Sequence, residues 1–267
     1  MDIVKPVFSR VFNSTIPDVD WNPLSLFTQS EPGFWYDPSD ITTLFQDSTG
    51  LIPVTTAGQS VGKVVDKSGR GNHATQAIAL QRPTYQIDGT GRPYLLFDGS
   101  LSGMLTGTIT PNTDKAQVFI GLRKLSDAAA AIVIEASANS GSNSGTLAIL
   151  APQSASSTYR FTSKGTTAVN AALSGYVAPI TNVLCGFGDI SASVATLRVN
   201  GEQISQVTTT QGTGNYLAYP LYIGRRGGAS LPFNGRIYSM IVRFGANLAA
   251  SQITSAESWV NSKTGSY

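Results

Sequence analysis

The sequence predicts an all-β sandwich of two antiparallel sheets, with one C-terminal helix and an extended N-terminal arm. Three observations predict it. About a dozen short apolar segments recur along the chain with turn signals between them, which suits a sandwich rather than a parallel α/β sheet. The composition is rich in turn formers, with 27 Gly and 13 Pro in 267 residues, and strands joined by tight turns need such residues. Glutamate, a staple of exposed helix faces, occurs only at Glu31, Glu135, Glu202 and Glu257.

Taken in order, residues 1–30 form the predicted arm. Val7–Phe8, Val11–Phe12 and Leu24–Ser25–Leu26–Phe27 scatter bulky side chains among Pro6, Pro17 and Pro23, with neither helical nor alternating period. Left exposed they are a liability, so the arm is expected to pack on the domain or on another subunit. The domain, residues 31–267, begins at Phe34–Trp35–Tyr36. Ile41–Phe45 reads as one or two helical turns capped by Asp37 or Ser39. Strands are expected over 61–66, 94–97, 117–122, 131–135, 146–150, 159–162, 183–187, 197–199, 203–205, 219–223 and 236–244. The 117–122 run is apolar on both sides and reads as central. Asn200–Gly201 supplies the two positive φ angles of a type I′ hairpin turn. The alternation in 236–244 predicts a half-exposed strand. The helix starts at Ser251, carries Ile253, Ala256 and Val260 on one stripe, and ends at Lys263–Thr264–Gly265. It is expected to cover a sheet edge or one end of the sandwich.

Composition bounds function. A net charge of +2 with 13% charged residues is too neutral for a grip on nucleic acid, where many phosphates must be neutralised. No run approaches the roughly 18 apolar residues of a membrane span, and Met1–Pro6 lacks the basic start and apolar stretch of a secretion leader. The single cysteine, Cys185, lies in an apolar run and reads as a small buried hydrophobe rather than a reactive thiol. No disulfide framework is possible.

Several local motifs together resemble the laminin-G-like jelly roll of the concanavalin A-like superfamily. Asp66–Lys67–Ser68–Gly69–Arg70–Gly71–Asn72–His73–Ala74 resembles that family's glycine turn. Leu96–Phe97–Asp98–Gly99 is similar to its Phe-Asp-Gly strand end. Ile223–Gly224 with Phe233–Asn234–Gly235–Arg236–Ile237 resembles its closing element, and Leu197–Gly201 a common hairpin. A narrower resemblance joins Phe34–Trp35–Tyr36–Asp37–Pro38–Ser39–Asp40 and Leu44–Phe45–Gln46–Asp47 to domains of tailed-phage virion proteins. It implies a virion component, in a homo-oligomer, with trimers frequent in such fibres.

Within the glycine turn, Gly69 and Gly71 permit a backbone path closed to other residues, and Asp66, Ser68 and Asn72 are expected to bond nearby N–H groups. Asp98 and Gly99 repeat this on a smaller scale. The alternative, a calcium site on Asp66, Asn72 or Asp98, wants six to eight oxygens, and no dense acidic cluster supplies them. No cofactor or metal is expected. The Glu-x-Asp-x-x-Glu pattern that the resemblance would bring with a retaining glucanase is absent, and glycoside hydrolysis needs two carboxylates. Glu135 and Glu202 read as isolated, solvated groups. His73, the one histidine, reads as a loop residue, and Gly224–Gly228 as a solvated loop. An enzyme is therefore not expected. The candidate ligand-binding residues are Tyr159, Arg160, Asn215, Tyr216 and Arg225, because sugar sites combine aromatic faces with polar groups on a rigid scaffold; ordinary packing is the alternative for each. Two functions follow. One is a displayed virion protein binding a host-surface polysaccharide or receptor, anchored to other virion proteins by residues 1–30. The other is a purely structural capsid-decoration, head-fibre or baseplate part.

Overall fold

A computed structural model describes residues 21–267; the first two thirds of the expected arm lie outside them. In chain order the strands are β1 (Gly33–Tyr36), β2 (Leu44–Phe45), β3 (Lys63–Val64), β4 (Ala74–Thr75), β5 (Thr84–Ile87), β6 (Pro93–Asp98), β7 (Met104–Ile109), β8 (Lys115–Lys124), β9 (Ile132–Ala136), β10 (Thr146–Leu150), β11 (Tyr159–Lys164), β12 (Ala168–Leu173), β13 (Ile180–Asp189), β14 (Val194–Val199), β15 (Glu202–Val207), β16 (Tyr219–Ile223) and β17 (Asn234–Phe244), followed by helix α1 (Ala250–Thr264). The first sheet runs β15-β14-β13-β8-β17-β6-β5, with β1 also on β17; the second runs β12-β11-β10-β9-β16-β7-β4-β3-β2. Each pairing is antiparallel.

β8 shows why its sequence reads apolar on both sides. Ala116, Val118, Ile120 and Leu122 join the core between the sheets. Phe119 belongs to a second core on the outer face, with Leu26, Phe27, Trp35, Val183, Cys185, Ile241, Ala256 and Val260. The molecule thus has three layers: the second sheet, the first sheet, and a cover made of α1 and a 3-10 turn at Pro23–Phe27. Cys185 is fully buried in the outer core, and burial pushes its thiol well above the ordinary value.

The cover corrects several expectations. α1 lies across β8, β13 and β17, in the middle of the first sheet and not at an edge or end. Consequently β17 is buried on both faces nearly throughout, and Arg243, expected on a half-exposed face, is only 6% exposed. Residues 21–30 take the first of the two places expected for the arm: Leu26 and Phe27 are buried against the domain. The segment expected to be helical at 41–45 is a single 3-10 turn, Ile41–Thr43, running into β2, with Asp40 rather than Asp37 or Ser39 before it. The strand expected over 61–66 shortens to Lys63–Val64. The hairpin turn stands as read, with Asn200 and Gly201 at φ 52° and 81° between β14 and β15. The helix ends on Gly265 in the left-handed region.

The glycine turn binds itself to β1. The Asp66 carboxylate accepts from the N–H groups of Trp35, Ser68 and Asn72 and from the Ser68 hydroxyl, at 2.8–3.0 Å. Asn72 donates to the Gly33 carbonyl, and His73 Nδ1 accepts from the Asp66 N–H. Gly69 and Gly71 have φ 78° and 76°. At the β6 end, Asp98 accepts three backbone N–H bonds, from Ser100, Leu101 and Ser102, each 2.9 Å, and Gly99 takes φ 71°.

These carboxylate loops set an acid limit. Burial alone raises the pKa of Asp98 and of Glu31. The backbone N–H groups on Asp98, and the Arg243 hydrogen bond on Glu31, outweigh it, so both stay below their ordinary values. A folded-state pKa below the unfolded one adds stability above the unfolded pKa, and that stability is lost as pH falls through the folded value. Urea midpoints should therefore be level from pH 7 to about 5 and fall below about pH 4, where free carboxylates titrate; a midpoint that holds at pH 3 contradicts this.

Candidate functional site

The structure does not bring the five sequence-chosen binding residues together. Tyr159 is fully buried: its ring stacks on Tyr176 at 4.6 Å and its hydroxyl donates to Asn182 Oδ1 at 2.9 Å. Tyr216 is buried too, 2.5 Å from the Ser163 hydroxyl. Both rings face inward because the inter-sheet core takes them as its large side chains, so neither offers a face to a sugar. Arg225 is buried and clamps the Leu101 and Ala229 carbonyls. Asn215 is exposed beside Gly145, at the opposite end of β10 from Leu150, the register partner of Arg160. Arg160 lies half-buried on the outer face of the second sheet.

Two further expectations fail at the same face. Glu135 is not solvated but fully buried, accepting from Arg226 at 3.1 Å and from the Ser140 N–H at 2.7 Å. The Gly224–Gly228 segment is therefore no solvated loop: both its arginines are tied down.

An open cleft of about 230 Å³ lies instead on the outer face of the first sheet, beside the start of α1. It is lined by Gln117, Phe187, Gly188, Asp189, Ala192, Val194, Asn247, Leu248 and Ile253. Its floor follows from strand register. Phe187 on β13 pairs with Gln117 on β8, and Asp189 with Lys115, so alternate residues of both strands point outward together. Phe187 leans edge-on against Phe119, 5.3 Å between centroids, and leaves part of its ring exposed.

The polar end is rigid. Asp189 Oδ2 accepts from Asn247 Nδ2 at 2.7 Å, and Oδ1 from the Ala192 N–H at 3.0 Å. Lys115 Nζ stands 3.3 Å from Asp189 and 2.9 Å from Asp114. Burial raises the Asp189 pKa, but the Ala192 and Asn247 hydrogen bonds and Lys115 more than offset it, and Asp114 is lowered likewise. Both are ionised at neutral pH. Gln117 is fixed by Arg243 and the Gly245 carbonyl. The arrangement offers an aromatic edge, apolar walls at Leu248 and Ile253, and one fixed carboxylate–amide pair. Among the described residues no group of three or more His, Cys, Asp or Glu is placed to hold a metal, and no helix is long and apolar enough to cross a membrane. Sequence reasoning missed the cleft because Asn247 and Asp189 are 58 residues apart and no local pattern links them.

Among curated proteins nothing matches the chain. Solved structures do. The receptor binding domain of botulinum neurotoxin D aligns over 73% of this chain and 50% of its own, at 10% identity and a TM-score of 0.56. A structure of botulinum neurotoxin type C, which depends on interaction with two ganglioside molecules to enter cells, aligns over 90% and 53%, at 10% identity and 0.57. The serotype D ligand binding domain in complex with N-acetylneuraminic acid aligns over 77% and 50%, at 10% identity and 0.53. The chain spans about half the length of these structures, and at such identity the likeness concerns the fold alone. The family model of the concanavalin A-like lectin/glucanases superfamily matches residues 116–254, more than half of the sequence, and the chain belongs to that superfamily.

Proposed function

We propose that this chain is a glycan-binding domain displayed on a tailed-phage particle, that it recognises a host-surface polysaccharide or receptor, and that it is not an enzyme. The cleft over Phe187 carries the binding reading. A partly exposed aromatic ring suits the C–H face of a sugar, and a fixed carboxylate and amide suit its hydroxyls. At about 230 Å³ the cleft is below the roughly 300–1,000 Å³ of drug-sized sites, which favours one ring over a long chain. The neighbouring folds that take gangliosides or N-acetylneuraminic acid support the same class of ligand. Hydrolysis would want one carboxyl kept protonated as general acid, and the Ala192 and Asn247 hydrogen bonds on Asp189 and the Ser191 hydrogen bonds on Asp114, together with Lys115, keep both ionised.

The virion placement rests on the resemblance of Phe34–Asp47 to phage virion domains. The apolar residues Val4, Val7, Phe8, Val11 and Phe12 would anchor the domain on neighbouring virion subunits as a homo-oligomer, a trimer by the same resemblance. These apolar residues equally favour a second reading, a structural decoration, head-fibre or baseplate part without glycan binding.

A glycan array probed with the intact chain should return host-surface polysaccharides. Asn247→Ala and Ala192→Trp should each cut the signal at least about tenfold, which is about 1.4 kcal/mol, with Tm unchanged for Ala192→Trp, an exposed position, and lowered by a few degrees for Asn247→Ala, which takes a donor from the buried Asp189 carboxylate. Silence across the array transfers the assignment to the structural reading. Anchoring is tested by removing residues 1–20 and not 1–30, since Leu26 and Phe27 belong to the outer core. A truncated protein that still joins particles ends the anchoring idea.

A further inference from the structure

The outer face of the second sheet carries a charge imbalance that the cleft does not explain. β11 points Arg160, Thr162 and Lys164 outward, in register with Leu150, Ala148 and Thr146 of β10. Across β10 and β9 the row of Thr162 and Ala148 continues to Glu135, and from there to Tyr222 on β16. Arg226 reaches onto this face from the loop after β16. Its floor is apolar: Ile132, Ala148 and Leu150 form a small cluster under Leu231.

Arg160, Lys164 and Arg226 therefore stand on the same face as the Glu135 carboxylate. Glu135 is used by Arg226, with N–O distances of 3.0–3.1 Å. Lys164 is buried and, among the described residues, finds the Ser140 and Gly141 carbonyls. Arg160 donates no hydrogen bond to any described residue, and its Nε is buried with no partner. Burial, then the like charge of Arg226, push the Arg160 guanidinium below its ordinary value, and Glu135 offsets only part of this. A guanidinium does not lose its proton in a protein, so the group stays charged and its missing partner is a cost. A planar oxyanion is the partner that the unpaired donors of Arg160 fit, and Arg226, held on Glu135, adds its charge beside them.

We infer that Arg160 and Arg226 form a second binding site, on the opposite sheet from the cleft, for the carboxylate of an acidic sugar. The surroundings favour a saccharide over an acidic peptide. The rim is made of neutral hydrogen-bonding groups, Thr162 bonded to Asn170 at 2.7 Å and the exposed Asn170. Tyr222, half-buried beside Glu135 in register, offers a ring to the sugar's C–H face.

The test titrates the intact chain with sodium D-glucuronate, D-glucose and a hexaglutamate peptide, following chemical shifts or heat. Glucuronate should bind saturably, glucose should not compete with it, and added salt should weaken the binding. Arg160→Gln should reduce affinity at least tenfold with Tm held or raised, while Asn247→Ala and Ala192→Trp leave the affinity as it was. The last comparison keeps this site separate from the cleft, so either can fail alone. No saturable glucuronate binding, binding indifferent to Arg160→Gln, binding abolished by Ala192→Trp, or preference for hexaglutamate over glucuronate each overturns the inference.

Discussion

Arg243→Ala should destabilise the fold by about 3–5 kcal/mol, the usual cost of removing one partner from a buried ion pair. The residue joins four partners at once. Its Nε donates to the Leu26 carbonyl at 2.7 Å, one terminal nitrogen to Gln117 Oε1 and the Ala246 carbonyl at 2.7 Å, and the other to Glu31 at 2.8 Å. Alanine would leave the Glu31 carboxylate, whose side chain is 10% exposed, without its counter-charge and the Leu26 carbonyl without its donor. For a chain of this size Tm should fall on the order of 10 °C. Because Leu26 ties the Pro23–Phe27 turn to the sheet, the loss should also loosen the cover over Trp35, seen as a red shift of tryptophan emission before the main transition. Glu31→Gln should cost less, since Arg243 keeps its other three acceptors. In the double variant the two losses should fall short of their sum, because the contact is shared. A calorimetric scan of Arg243→Ala within 2 °C of the parent sinks this account.

Arg243 also marks where sequence reading stopped. Alternation in 236–244 grouped Ile237, Ser239, Ile241 and Arg243 on one face; a register shift between Ile237 and Ser239 turns Ile237 into the inter-sheet core instead, and alternation is blind to what covers the face of the other three. The cover comes from residues 23–27 and 250–264, more than 200 positions apart, and no local pattern pairs them. One glycine held the missing signal. A Cβ on Gly121 would sit 1.9 Å from Thr264 Oγ1, so this central strand residue is small because α1 lies directly on it. Elements whose cause is local were legible: the Asn200–Gly201 turn, the Ile253–Ala256–Val260 stripe and the Gly265 stop. Strands β5, β7 and β12 were not. Their outward residues, such as Gln86, Thr108 and Asn170, dilute the apolar signal that reading by hydrophobic runs requires. The site suffered most. Aromatic residues beside charged ones were chosen as sugar binders, yet Tyr159 on β11 and Tyr216 in the loop before β16 both fill the core.

Glu135→Ala should be comparably damaging, by about 3–5 kcal/mol, and for the opposite sign of charge. The carboxylate is fully buried and is the counter-charge of Arg226, with Arg160 nearby. Removing it leaves Arg226 without its counter-charge, takes away the favourable charge that Glu135 supplies to Arg160, and strands the Ser140 N–H, which donates to it at 2.7 Å. Two further variants separate charge from packing. Arg226→Ala should also destabilise, because it isolates a buried carboxylate instead of a cation. The paired replacement Glu135→Leu with Arg226→Met should recover most of the loss, since exchanging both members of a buried pair for apolar groups of similar size is often neutral or stabilising. Leu231, Ile132 and Leu150 form an apolar surround that would accept the new side chains. Sulfate should raise the Tm of Glu135→Ala more than that of the parent, because an anion that binds the folded state alone stabilises it in proportion to its occupancy. If the paired variant is as unstable as either single one, the two side chains are holding the 225–231 loop by shape and not by charge, and the electrostatic account of this face fails with it.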